Sequence, residues 1–486
     1  MPGMPIADKL QRKFFRSLLL LILANLVVKP VWIFAIDRSV QNIVGFAEYG
    51  HYFSLFNLCV ILNFLLDLGI SVYFNREVAA DPQQGISLFS RSLYAKLFLV
   101  LVYGLATLLL AWLTGVRDAR LLLLLIGLQI GSGLLLFIRA YLTAAQLYTQ
   151  DAVISVLDKL LVIIFVGFLI LFPERSGGVT MVRFASLQVL AIGLSMAIGM
   201  FFILRQVPGF RFYGASGWRK DLFLSSLPFA VNIFLMSVMY RSDGFLLERL
   251  HPDGPAEAGV YAAGYRLLDA FNVAGFMMAG FLLPFIARHW PNLHHFAPVL
   301  LACRHLLVLG SFWVASFALA APDYLAELLY HQQDSRTVFV IAMVMQALPA
   351  LSMVHIYGAT LTATRNIRTF VFVTLVFAAL SLLLNLLVIP RYGAAGCALV
   401  AVAIQGGYAL TIMYFARMKA GVRLWLFYIP IYLSVGILSF TAIRMAVYLD
   451  FNVPLTAAGT AVLITVLFYY TAGTSVKQIR ELLLEK

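Results

Sequence analysis

Fourteen long apolar runs joined by short connections constrain this chain more than any other feature. The runs lie at roughly 17–36, 50–70, 92–113, 120–141, 153–172, 179–204, 222–242, 259–287, 299–320, 337–361, 369–389, 394–416, 425–447 and 454–472. Each approaches the roughly 20 residues a helix needs to cross a bilayer core. In lipid, every backbone polar group must be satisfied within the protein, so runs of this length fold as helices. Composition agrees. The chain is 62% hydrophobic and 12% charged, against about 45–50% and about 25% for a soluble domain. The expected fold is an all-α integral membrane bundle of fourteen transmembrane helices.

The net charge of +13 does not point to nucleic acid, because the basic residues sit in the short connections and not on one polar face. Roughly twice as many Lys and Arg fall on the side of the N-terminus as on the other, which predicts that both termini face the cytoplasm. The first run follows Lys9, Arg12, Lys13 and Arg16, as a signal peptide would. It is too long for such a segment and lacks a small-residue cleavage site, so it is read as a retained first helix. Cys59, Cys303 and Cys397 fall inside apolar runs and are expected to be core thiols.

The longest connection, 71–91, leaves no room for a catalytic domain outside the membrane. The chain has no Gly-x-x-x-x-Gly-Lys-Ser/Thr loop for ATP, no His-Glu-x-x-His and no Asp-x-Asp. His289, His294 and His295 cluster beside Trp290 and are read as an interfacial loop. No enzyme activity, cofactor or metal is expected.

An internal repeat is visible. Asp37-Arg38 and Glu48-Tyr49-Gly50-His51-Tyr52 follow the first helix; Arg241-Ser242-Asp243 and Glu257-Ala258-Gly259-Val260-Tyr261 follow the seventh. Leu142-Thr143-Ala144 closes the fourth helix and Leu361-Thr362-Ala363 the tenth. The order predicts two pseudo-symmetric six-helix bundles, 1–218 and 219–420, with two further helices and a tail in 421–486. Six is even, so both bundles keep the same orientation.

Leu227-Pro228-Phe229, Asp243, Gly259-Val260-Tyr261 and Ile389-Pro390-Arg391-Tyr392-Gly393-Ala394-Ala395-Gly396 resemble the second-half signature of polysaccharide flippases. Lys29-Pro30-Val31-Trp32 and Glu48-Tyr49-Gly50 resemble the Wzx-type branch. That superfamily also holds multidrug (MATE) exporters and the lipid II flippase. The resemblance implies two bundles around a central cavity that work by alternating access. It implies a substrate in which a glycan is carried on undecaprenyl pyrophosphate, moved across the inner membrane beside polysaccharide polymerase machinery.

Charges inside a membrane span cost about 2.5–3.5 kcal/mol each on insertion scales, so each needs a reason. Lys29 in the first helix, Arg266 and Asp269 in the eighth and Asp67 at the end of the second fall in this class. In the arrangement the resemblance implies, Lys29 and Arg266 face a shared hydrated cavity and attract a pyrophosphate. Snorkelling of Lys29 and a local Arg266–Asp269 pair are the competing readings. Asp269 is also a candidate for proton coupling, and Asp67 for a local cap or pair. Pro30 beside Lys29 marks a candidate hinge. Asn57, Asn232 and Asn272 are candidates for hydrogen bonds to sugar hydroxyls or to neighbouring helices, with Asn272 on the face of Arg266 and Asp269. A multidrug antiporter of the same fold would want acidic cavity groups, and a glycan polymerase or ligase would want a large outer loop.

Overall fold

The computed structural model describes residues 24–25, 27–71, 74, 85–145, 147–206, 220–331, 334–423 and 426–484. Lys9, Arg12, Lys13, Arg16 and the start of the first run lie outside them.

Fourteen long helices stand among the described residues, at the places the apolar runs predict. They are α1 (24–25 and 27–44), α2 (Phe46–Leu66), α3 (Gly85–Leu113), α4 (Ala119–Ala144), α5 (Tyr148–Leu171), α6 (Met181–Gln206) and α7 (Lys220–Leu250). Then follow α8 (Gly254–His289), α9 (Leu293–Ala320), α10 (Ser335–Ala363), α11 (367–392), α12 (394–420), α13 (Ile429–Tyr448) and α14 (Val453–Leu484). Helices α11 and α12 run on as one rod of 54 residues except at Gly393, whose φ of 51° and ψ of −137° break it. Ten of the described helices, counting that rod once, are long and apolar enough to cross a membrane. The chain is a multi-pass membrane protein.

Two compact units divide the chain at Phe245 and Leu246. In the first, α4 and α6 approach closely: a Cβ on Gly131 would lie 2.7 Å from Ile192, and one on Gly199 2.7 Å from Ile138. Small residues at such crossings let membrane helices gain dispersion contact where lipid offers no hydrophobic drive. Phe74, Phe89, Phe137 and Tyr141 form an aromatic core beside them, with Phe89 and Phe137 stacked at 5.0 Å. Buried polar groups are paired across helices: Tyr49 donates to Asp37 at 2.7 Å, and Tyr103 to the Cys59 carbonyl at 3.0 Å.

In the second unit, Tyr408 and Thr374 hydrogen-bond at 2.8 Å between α12 and α11. The last two helices dock on α9. Tyr432 of α13 meets His305 at 2.9 Å, Arg444 donates to the Ala320 carbonyl at 3.1 Å, and Trp313 donates to Thr460 of α14 at 3.0 Å. Glu257, buried near the start of α8, ties three helices. Its carboxylate accepts from the Ala394 N–H that opens α12 at 2.7 Å and from Arg336 of α10 at 2.7 Å. The first N–H groups of a helix have no partner of their own, so a carboxylate there acts as a cap. Gly393 is required at this point, because its φ is left-handed and a Cβ would overlap the Glu257 carboxylate.

Candidate functional site

In the first unit the predicted cation Lys29 stands in a cluster. It is half-buried on α1, immediately before Pro30, and the next turn is a six-residue π-helix, Trp32–Asp37. A proline removes one backbone donor and bends the ladder, and π-turns concentrate at functional sites. Arg139 of α4 and Lys159 and Asp158 of α5 lie close enough to act on Lys29 electrostatically. Arg139 grips Asp151 with both arms, at 2.7 and 3.3 Å. Lys159 pairs with Asp158 at 3.2 Å and sits 5.4 Å from the centre of the Trp32 ring. Asn25 donates to Ser155 at 3.0 Å, fixing α1 to α5 below the cluster. Both carboxylates are therefore paired with a cation. Among the described residues, no carboxylate lies within ion-pair distance of the Lys29 ammonium. The cluster carries surplus positive charge inside a helix bundle, which suits an anionic group.

In the second unit, Arg266 and Asp269 meet at 4.0 Å along one face of α8, both largely shielded from solvent. One turn on, Asn272 is buried and its side-chain oxygen is 2.8 Å from His355 of α10. Gly275 makes room for that imidazole, and Phe276 meets it edge-on at 4.5 Å. Asn272 thus hydrogen-bonds a neighbouring helix. Asn57 is buried in α2 against Gly244 of α7, and its side-chain oxygen accepts no hydrogen bond among the described residues. Asn232 is buried with its amide 3.3 Å from the Met236 sulfur. Asp67 pairs with Lys96 of α3 and accepts from Ser71.

Four cations that the sequence did not single out as site candidates, Lys96, Arg139, Lys159 and Arg304, lie within the helices. Lys96 and Arg304 are fully buried, and Lys159 reaches the level of Trp32. Helices α3 and α5 begin about five to seven residues before the apolar runs that announce them, so these cations lie deeper than the runs imply. The signal that was available is the i,i+1 acid–base pair Asp158-Lys159 inside an apolar run.

Solved structures of membrane transporters share the fold of this bundle of apolar helices. The lipid II flippase MurJ, in an inward closed conformation, superposes with a TM-score of 0.66 at 12% identity, covering 93% of this chain and 99% of that one. An inward-facing multidrug resistance MATE family transporter of the MOP superfamily gives 0.59 at 16% identity, over 82% and 94%. A MOP superfamily transporter from Pyrococcus furiosus, described by the reverse polarity of its binding pocket, gives 0.57 at 13%, over 85% and 95%. No curated protein matches in sequence. The profile of the polysaccharide biosynthesis protein family matches residues 15–290, more than half of the chain. The chain belongs to that family.

Proposed function

We propose that this protein is a flippase that carries a polyprenyl-pyrophosphate-linked oligosaccharide from the cytoplasmic to the outer leaflet of a bacterial inner membrane. It would serve lipopolysaccharide O-antigen or another cell-surface polysaccharide, by alternating access, with both termini cytoplasmic and a polymerase taking up the product. Family membership supports the glycan pathway. The single observation that carries the anionic substrate is the surplus of cations around Lys29, where Lys29, Arg139 and Lys159 stand against Asp151 and Asp158. Sugars and phosphates cannot enter hydrocarbon without a large desolvation cost, so the head group needs a polar, cationic path while the lipid tail stays in the bilayer. Arg266 offers a second phosphate contact, with Asp269 as its companion and candidate coupling group. Pro30 and the π-turn after it are the hinge of α1. The bundles 1–218 and 219–420 would be the working parts, with 421–486 supporting the second.

A multidrug antiporter of the same fold would present an uncompensated carboxylate to a cationic drug. Here Asp151, Asp158 and Asp269 each have a basic partner, which favours the anionic cargo. The test is glycan display in a deletion strain carrying Lys29→Ala. Loss of surface polysaccharide, with wild-type amounts of protein in the membrane, supports the reading. Normal display with a new drug-sensitivity phenotype overturns it.

A further inference from the structure

The end of α2 is unwound in a specific way. The helix turns 3-10 over Leu62–Leu66. The N–H groups of Asp67 and Leu68 both reach the Phe64 carbonyl, at 3.3 and 3.2 Å, and that of Ile70 reaches the Asp67 carbonyl at 2.8 Å. In a continuous helix Ile70 would serve Leu66, four residues back. The Leu66 carbonyl is thereby released from the backbone ladder. Leu68, which is not a glycine, holds a left-handed φ of 43°, followed by Gly69 at 87°. Such strain persists only where the surroundings hold it in place.

What holds it is Lys96. Its ammonium donates to the Leu66 carbonyl at 3.0 Å and to the Asp67 carboxylate, and lies 5.5 Å from the Phe137 ring of α4. Ser71 closes the other side of the same carboxylate oxygen. Asp67 is the charged group that acts on Lys96, and the lysine side chain is 1% exposed. A freed main-chain carbonyl, a carboxylate and an adjacent hydroxyl form the hard-oxygen set that alkali cations take at unwound membrane helices.

We propose that the break in α2 is a monovalent-cation site that the chain fills with its own lysine ammonium. The turn is kept in place by a tethered cation, so this part of the bundle holds its shape without an exchangeable ion. Removing the ammonium while keeping the oxygens opens the site to sodium or potassium.

The experiment measures Tm for the purified full chain in NaCl, KCl and choline chloride at equal ionic strength. Wild type is expected to melt at one temperature in all three. Lys96→Ala should melt lower in choline and recover in Na+ or K+ with a saturable dependence. Adding Asp67→Asn to that variant should abolish the recovery. Equal melting of Lys96→Ala in all three salts overturns the proposal. Should Lys96→Ala not accumulate, Lys96→Ser replaces it, a small neutral side chain that likewise vacates the ammonium position. Amide exchange at Asp67 to Ile70 in the wild type gives an independent reading: rates equal in Na+ and choline support the tethered cation, and Na+-dependent protection overturns it.

Discussion

Replacing Glu257 with alanine removes the cap of α12, and its cost follows from two contacts of unequal worth. The bond from Ala394 N–H is short, at 2.7 Å, and made to a buried carboxylate. A hydrogen bond to a charged group contributes about 1.5–3 kcal/mol, and the orphaned N–H adds to the loss. The second contact, to Arg336, is equally short but involves a guanidinium that is 58% exposed. Water screens that pair to about 0–1 kcal/mol. The total for Glu257→Ala is then about 2–4 kcal/mol. For a cooperative unit of this size, each kcal/mol moves the melting temperature by about 2–4 °C, so a fall of roughly 4–16 °C is expected. Glu257→Gln keeps an oxygen for Ala394 without the charge and should fall between wild type and alanine. Arg336→Ala should shift the melt by only a few degrees. Thermal unfolding of the purified protein in nanodiscs reads all three. A Glu257→Ala melt within 2 °C of wild type, or an Arg336→Ala loss as large as that of Glu257→Ala, would refute the ranking of cap over ion pair.

Other perturbations test the remaining parts. Lys29→Ala should cut glycan export by about 10–100-fold, the equivalent of one charge-assisted phosphate contact, while Lys29→Arg retains most of it; export per molecule of membrane protein is the measure. Arg266→Ala should abolish surface polysaccharide without loss of folded protein in the membrane, and the neutral pair Arg266→Gln with Asp269→Asn should likewise keep folded protein but not display, separating a substrate contact from a local ion pair. Burial alone would raise the Asp334 carboxyl, but hydrogen bonds from Thr337 and Arg336 outweigh it and hold it below its ordinary value of 3.8. A lowered carboxylate stabilises the fold above that value and loses its contribution as pH falls through the folded-state pKa. The melting difference between wild type and Asp334→Ala should therefore be flat from neutral pH down to about 5 and shrink below 3.8. Cys59, Cys303 and Cys397 are buried free thiols, and a water-soluble maleimide should label none of them until the protein is unfolded.

The helices were legible because lipid imposes one rule on every span. Each must be predominantly apolar for about 20 residues, so runs such as 120–141 announce α4 without help from its partners. Gly393 was legible too, since Pro390 and a glycine-rich stretch mark a break between two runs. The charged interior was not. Lys159 reads as an end residue when α5 is started at 153, yet the helix starts at Tyr148, about 7 Å earlier along its axis. Lys96 was not singled out, because nothing along the chain reveals that Leu66, thirty residues away, has released a carbonyl for it. Lys29 was found because it stands alone in its run, and its neighbours Arg139 and Lys159 were missed because only folding brings α4 and α5 beside α1. The α9 helix conceals the same problem: Arg304 is wholly buried against Tyr357 and Tyr432, in a run that looks merely amphiphilic.

Each unit holds a carboxylate that reaches the start of a later helix. Glu48 opens the second helix of the first bundle, and the N–H of Met181, the first residue of α6, points to its carboxylate at 3.4 Å. Glu257 opens the second helix of the other bundle and caps Ala394, the first residue of α12, at 2.7 Å. In both, a left-handed glycine lies just ahead of the capped helix: Gly178 in one, Gly393 in the other. Short sequence matches such as Glu-x-Gly arise easily by chance. The two contacts run from Glu48 to the start of α6 and from Glu257 to the start of α12. The two caps differ in strength for a local reason. Glu48 is exposed and its contact is long, whereas Glu257 is enclosed by Gly393 and Arg336. A bond to a solvated carboxylate competes with water, and one made in a closed site does not. The cap on α12 is therefore the stronger of the two.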